Sequence, residues 1–291
     1  MQRKGIALLS VLVLLVAMSL LLLVSFSISE KYFKDEKRIK LSAQMNRIAL
    51  DAKSILVNTL KNFDSPEAYD FLFSQPFIIN NSNYSITFLF QPFENSLNIN
   101  KMVKNGKVVN AYQDILENIL MAHNVVDTSF FINLLLDTID MDINARVYGS
   151  EIAIEEPFFR NGKVFSLEHF EKIVDYYAYA RDDKNIYNIA WNKYINFDSE
   201  KIDINFVSLE LLTFMFPNRS IDKSFKETYY QKYEELNVNT EEKNFLEEFN
   251  TVFSTSSVLV KILYAEGEES ATIGFKYEIT QGRQYDIKYF F

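Results

Sequence analysis

From Ile6 to Ser29 the chain is apolar or weakly polar without a single charge, behind a short basic head, Gln2-Arg3-Lys4-Gly5. About 20 apolar residues rising ~1.5 Å each match the roughly 30 Å hydrocarbon layer of a bilayer, so this run predicts a membrane-spanning helix. Beyond it the pattern turns amphipathic. Leu41, Met45, Ile48, Ala52, Ile55, Leu56 and Leu60 recur at helical spacing, and no Gly or Pro falls between Gly5 and Pro66. One helix is therefore expected from Ile6 to Phe63, about 85 Å long, with its first part (6–29) in the membrane and its second (30–63) packed on a head. Arg3 and Lys4 place the N-terminus in the cytoplasm and everything after Glu30 outside.

Asp64-Ser65-Pro66 stops that helix with turn chemistry, and Pro76 closes a short segment behind it. Tyr84, Ile86, Phe88 and Phe90 then alternate with Ser85, Thr87 and Leu89, the period of a strand buried on one face. Helical spacing takes over in Tyr112–His123, Ser129–Thr138, Leu167–Tyr179 and Tyr187–Tyr194. Alternation returns in Val258, Val260, Ile262 and Tyr264, in Ile273, Phe275, Tyr277 and Ile279, and in Tyr285, Ile287 and Tyr289. Glu266-Gly267-Glu268 and Gln281-Gly282-Arg283 supply the turns, so the end of the chain reads as an antiparallel meander. Early strand, central helices and late strands give an α+β fold. Its core is formed by 64–103 and 198–291 around a helical insertion at 104–197, with no internal repeat or low-complexity tract.

Composition narrows the chemistry. With 48% hydrophobic residues, 26 Phe and 17 Tyr, the chain has ample material for a core. A formal net charge of −9 argues against nucleic acid as a partner, and the absence of Cys excludes disulfides and thiolate sites. The only histidines, His123 and His169, stand in no catalytic motif and read as surface or packing residues. The adjacent carboxylates Glu155 and Glu156 point apart on a loop or strand. No phosphate-binding Gly loop occurs, so no catalytic residue is assigned. Of the paired aromatics, Tyr176, Tyr177, Tyr229, Tyr230, Phe158 and Phe159 are expected mostly in the core, with an exposed subset left to meet partners. The densest acidic cluster is Asp137, Asp140, Asp142 and Glu151, followed by Glu155 and Glu156. Such hard oxygen donors suit Ca²⁺, although the spacing is not that of an EF-hand, and Asp140 and Asp142 could equally cap or solvate a helix end.

Lys4-Gly5-Ile6-Ala7-Leu8-Leu9 resembles the site of prepilin peptidase, which cuts behind the Gly and leaves the apolar helix in place. An ordinary signal peptide fits less well, because Phe26-Ser27-Ile28-Ser29-Glu30-Lys31 offers no small-x-small junction. Further stretches resemble, in order, the general secretion pathway protein K family, the large minor pseudopilins of type II secretion. Asn98-Ile99-Asn100 resembles its N-x-N segment. Asp137-Thr138-Ile139-Asp140-Met141-Asp142 resembles its D-W-I-D-x-D, with Thr138 in place of Trp. Gly149-Ser150-Glu151 resembles its G-A-E, and it is followed at family spacing by Pro157–Gly162 and Phe165-Ser166-Leu167-Glu168. Ile202-Asp203-Ile204-Asn205, leading into Leu209-Glu210-Leu211-Leu212, resembles its I-N-x-N-T-A, with Asp203, Phe206 and Val207 departing from the pattern.

The resemblance implies a leader at 1–5, cleavage between Gly5 and Ile6, N-methylation of the new terminus, and a type IV pilin-like long helix packed on an antiparallel sheet. Ser10 then occupies mature position five, where most pilin-like subunits carry Glu and the K type does not. It also implies calcium at Asp137, Asp140, Asp142 or Glu151. The location implied is the bacterial inner membrane, in a single pass with a periplasmic head. The partners implied are the I-type and J-type minor pseudopilins, the major pseudopilin, prepilin peptidase and exported substrate proteins. The expected role is non-catalytic: capping the pseudopilus tip and helping to initiate its assembly. A minor pilin of a type IV pilus or DNA-uptake filament, and an anchored periplasmic binding protein, are the alternatives.

Overall fold

The computed structural model describes residues 29–290, apart from 38, 55–56, 58–59, 61–64, 268 and 280–282. The expected cleavage point at Gly5 and Ile6, the position-five Ser10 and the apolar run 6–28 lie outside the described residues. Among the described residues no helix is long and apolar enough to cross a membrane.

A first helix, α1, covers 29–37 and 39–54. Leu41, Met45, Ala49 and Ala52, one face of it, are buried, whereas Tyr32, Phe33, Ile39 and Leu50 on other faces are exposed. Helix α2 (Pro66–Ser74) follows, with Pro66 in its first turn, where a missing N–H costs nothing. Strands β1 (Phe77–Asn80) and β2 (Ser85–Pro92) then form a hairpin. The chain leaves this sheet at Pro92, whose register partner is Val258 at the start of β9, so exit and return lie side by side.

Between those points come short strands and helices. They are β3 (Leu97–Asn98), β4 (Val103–Lys104), β5 (Lys107–Val108), α3 (Asn110–Ala122), α4 (Thr128–Ile139), α5 (Ile152–Glu155), α6 (Leu167–Arg181), β6 (Ile195–Asn196), β7 (Ile202–Asp203), α7 (Leu209–Met215), α8 (Thr240–Glu248) and β8 (Thr251–Val252). Caps fix the ends of the helices. Asp127 accepts from Phe130 N–H, Ser166 from His169 N–H and Ser208 from Leu211 N–H, and Asn239 with Glu242 forms a reciprocal capping box. Strands β9 (Ser257–Glu266), β10 (Glu269–Glu278) and β11 (Arg283–Phe290) complete a five-stranded antiparallel sheet in the order β1-β2-β9-β10-β11.

Two apolar clusters result. In the first, the buried face of α1 meets Tyr69, Leu72, Phe90, Val258, Val260, Ile262, Ala271, Ile273, Phe275 and Tyr277, the alternate residues of three strands. The second runs from Leu97 to Phe249 through all the helices from α3 to α8. At its centre Phe131 stacks on Trp191 at 5.4 Å and meets Phe170 and Tyr177 edge to face at 6.1 and 5.5 Å. One local reading of the sequence is corrected: Tyr187–Tyr194 is not an α-helix but falls into 3-10 turns at Lys184–Asn188 and Trp191–Lys193, because Ile186 and Trp191 are pulled inward at a tighter spacing. The strand Phe77–Asn80 is not among the elements the sequence predicts.

Candidate functional site

The acidic residues singled out in the sequence sit where α4 ends. Asp137, in the last turn, is wholly buried, and Asp140 caps the helix. The loop that follows brings Arg146 back: its guanidinium pairs with Asp137 through Nη1 and with Asp140 Oδ2 at 2.6 Å, while its backbone N–H donates to Asp137 Oδ2 at 3.1 Å. Ser150 Oγ–H also donates to Asp137. Glu151, buried at the N-cap of α5, accepts from Ala153 N–H at 3.2 Å and from Asn161 Nδ2 at 2.8 Å, both through Oε1. Asp142 is different: it is exposed, and its carboxylate accepts only from Asn144 N–H in the turn. The structure thus gathers Asp137, Asp140 and Glu151 with Arg146 and Asn161, and turns the Asp142 side chain outward.

Three oxygens in this group have no hydrogen-bond partner although they are buried: Asp140 Oδ1, Glu151 Oε2 and Asn161 Oδ1. Asn161 cannot resolve this by an amide flip, since its Nδ2 already serves two acceptors, Asp142 O at 3.1 Å and Glu151 Oε1. Burial pushes the carboxyl of Asp140 above its usual range despite Arg146, and it pushes Glu151 up as well, with the charges of Asp137 and Asp140 adding to the effect. The guanidinium pairs with two of the three carboxyl groups, those of Asp137 and Asp140. The unpartnered oxygens are hard donors, so a small divalent cation fits their chemistry, although among the described residues no three His, Cys, Asp or Glu side chains stand in a metal-holding arrangement.

The Asn-rich stretches do structural work that the sequence could not specify. Asn98 Oδ1 accepts from Asn100 N–H at 3.0 Å, and Asn98 Nδ2 donates to Ser199 O at 2.8 Å. Asn100 Nδ2 donates to Val164 O and Phe197 O, each at 2.9 Å, and its Oδ1 accepts from Val164 N–H at 2.7 Å. The same device returns a hundred residues on. Asp203 Oδ1 accepts from Asn205 N–H at 3.1 Å, while Asn205 Nδ2 donates to Tyr230 O at 2.9 Å and its Oδ1 accepts from Tyr230 N–H at 2.8 Å. Each copy starts in a two-residue strand with a parallel partner, β3 with β6 and β7 with β8.

Catalytic geometry is not seen at either histidine. His123 Nδ1 lies 2.8 Å from Ile119 O in its own helix. His169 is sandwiched between Phe159 and Phe165, and burial, helped by Lys172 and Arg160, lowers its pKa. Among the paired aromatics, Tyr176, Tyr177 and Phe159 are core, Tyr229 and Tyr230 are half-buried, and Phe158 is fully exposed.

The described residues thus form an antiparallel sheet backed by a helix, with a helical body looped out between neighbouring strands β2 and β9. No family model matches the chain, and no curated protein sequence matches it. Among solved structures it is similar in fold to GspK in the crystal structure of the GspK–GspI–GspJ complex from the enterotoxigenic Escherichia coli type 2 secretion system. The TM-score is 0.65 at 11% identity, covering 90% of this chain and 99% of that one.

Proposed function

We propose that this chain is a K-type minor pseudopilin of a type II protein secretion system, a non-catalytic assembly component. The observation that carries the reading is the shared fold over nearly the full length of both chains, helical body included. In this role the apolar run at 6–29 anchors the protein in the inner membrane after cleavage behind Gly5. The head lies in the periplasm, and I-type and J-type minor pseudopilins are its direct partners. A lateral body inserted between β2 and β9 suits a terminal position, since bulk there meets no subunit above it. Ser10 suits the same position: without a carboxylate at mature position five, this subunit has nothing to neutralise the amine of a further subunit in the apolar filament core.

The test is to express the full chain with candidate I-type and J-type minor subunits of the same organism and to purify it from detergent-solubilised membranes. A stable ternary complex, an N-terminus at Ile6 only when prepilin peptidase is present, and loss of secretion on deletion are expected. An intact Met1 in both strains, or no complex, refutes the reading.

Calcium is the second element of the proposal, supported by the three unpartnered oxygens of Asp140, Glu151 and Asn161. A bound Ca²⁺ would supply positive charge to a cluster in which Arg146 pairs with Asp137 and Asp140 but not with Glu151. The residues here would orient it through side-chain oxygens, with Arg146 holding Asp137 in place. Addition of millimolar CaCl₂ after EGTA treatment should raise the melting temperature of the wild-type chain and leave the Glu151→Gln variant unmoved; equal responses refute this site.

A further inference from the structure

Strand β1 borders the sheet, with β2 on one side and, among the described residues, no strand on the other. Asn81 N–H donates to Tyr84 O at 2.9 Å and closes the turn Ser82-Asn83, and the register then pairs Asn80 with Ser85, Ile79 with Ile86, Ile78 with Thr87 and Phe77 with Phe88. In an antiparallel ladder, opposed residues alternate between pairs that exchange both main-chain bonds and pairs that exchange none. Counted from the bonded Asn81–Tyr84 pair, Ile79 and Phe77 spend their N–H and C=O groups on β2, while Asn80 and Ile78 turn theirs outward. Among the described residues no hydrogen bond meets those outward groups.

The side chains of this edge are equally unprotected. Phe77, Ile78 and Ile79 are 37, 56 and 49% exposed, and Phe71 of α2, whose ring stands 6.4 Å from that of Phe77, is 56% exposed. Opposite Phe88 and Ile86, Phe77 and Ile79 lie on the face of the sheet that packs against α1, but at its uncovered margin. From Gln75 through Phe93 there is no charged residue, in a chain that is 24% charged. Soluble sheets usually blunt such an edge with Lys, an inward charge, a bulge or Pro within the strand. β1 has none of these; only its four-residue length and Pro76 ahead of it limit the edge.

We propose that β1 is a strand-addition site for an extended, uncharged, apolar segment of a neighbouring, different subunit. The inference rests on the reading of the chain as a component of a multi-subunit assembly. Main-chain donors and acceptors at strand spacing select a strand over a lipid or a helix, and the charge-free surround selects an uncharged one. One set of alternate side chains of the incoming strand covers Phe71, Phe77 and Ile79, and the other meets Ile78. A second copy of this chain, paired about a twofold, would meet the same ~4 outward groups, and cross-linking distinguishes it from a different subunit.

Ile78→Pro is the discriminating variant, because it deletes an N–H that the sheet does not use. Ile78→Lys keeps that N–H and adds a charge at an exposed position. Each full-length variant is co-expressed with the two other minor subunits. Melting of the purified chain alone should be unchanged, while recovery of a partner subunit should fall about tenfold, the equivalent of roughly 1.4 kcal/mol in binding. The chain has no native cysteine, so Asn80→Cys supplies a unique thiol for a bifunctional cross-linker and should capture that partner. Wild-type recovery by both variants overturns the proposal, as does a cross-link found only between copies of this chain. If the unmodified chain recovers no partner at all, the assembly reading itself falls, and this inference with it.

Discussion

Replacing Asp203 by Asn should remove a pH dependence of stability that the wild-type chain carries between about pH 4 and pH 6. Asp203 is 1% exposed. Its carboxylate accepts from Asn205 N–H at 3.1 Å and Thr255 Oγ–H at 3.0 Å, and its backbone N–H donates to Glu94 O at 2.7 Å. Burial raises its pKa to about 6; the bonds from Asn205 and Thr255 work against the rise, Glu94 adds to it, and Lys226 opposes it. The unfolded chain titrates near 3.9, so between ~3.9 and 6 the folded state holds the extra proton. Stability from this group is therefore full below about pH 4 and is lost as pH rises to 6, by roughly 1.36 kcal/mol per unit, or about 3 kcal/mol in all. Asn keeps the acceptor for Asn205, and the Thr255 hydroxyl can rotate to accept from its amide. Urea unfolding of the full chain in detergent, followed by the fluorescence of the single Trp191 in the same apolar cluster, measures the difference. Other titrating groups are common to both proteins and cancel to first order. Lys226, pushed down to about 8 mainly by burial, limits the useful range to below pH 7. The variant should gain on the wild type steadily from pH 4 to 6. Parallel profiles, or a wild type that gains on the variant over that interval, would refute the reasoning.

Asn100→Ala deletes three hydrogen bonds that tie the 3-10 turn after β3 to Val164 and Phe197, and it should cost about 3 kcal/mol, read as a lower urea midpoint with an unchanged slope. Phe131→Ala opens a hole against Phe170, Tyr177 and Trp191; a loss of about 3–5 kcal/mol with a red-shifted native Trp191 emission is expected, and an unshifted spectrum would contradict the stacked geometry.

The strands β2, β9, β10 and β11 were legible because each alternates apolar and polar residues between turn signals, and α3, α4 and α6 because their apolar faces repeat at helical spacing. β1 was not. Phe77-Ile78-Ile79-Asn80 is too short and too uniformly apolar to show alternation, and its place beside β2 is a matter of register. The acidic cluster was visible as composition, but Arg146 was not a candidate, since only the loop after α4 returns it to Asp137 and Asp140. No repeat was apparent either, because Leu97-Asn98-Ile99-Asn100 and Ile202-Asp203-Ile204-Asn205 share a device rather than a long similarity. In both, a polar side chain braces the backbone two residues ahead so that an Asn can clamp a distant segment.

The second of those devices also joins the two clusters. A body inserted between adjacent strands hangs on two chain crossings, and such a connection alone leaves its orientation loose. Here the crossings are stitched to each other. Glu94, just beyond β2, accepts from Ser256 N–H at 2.9 Å and from the Ser256 hydroxyl at the entry to β9. The same residue's carbonyl takes the N–H of Asp203, and Asp203 takes the hydroxyl of Thr255. Phe206, next to this bracket, packs edge to face on Phe73 of α2 at 5.1 Å, and Lys226 donates to Asn205 O at 2.8 Å. Buried polar groups satisfied in this way have few alternative partners, so turning the helical body against the sheet would strand at least Glu94 and Asp203 without theirs. An apolar seam could slip; this one specifies an angle.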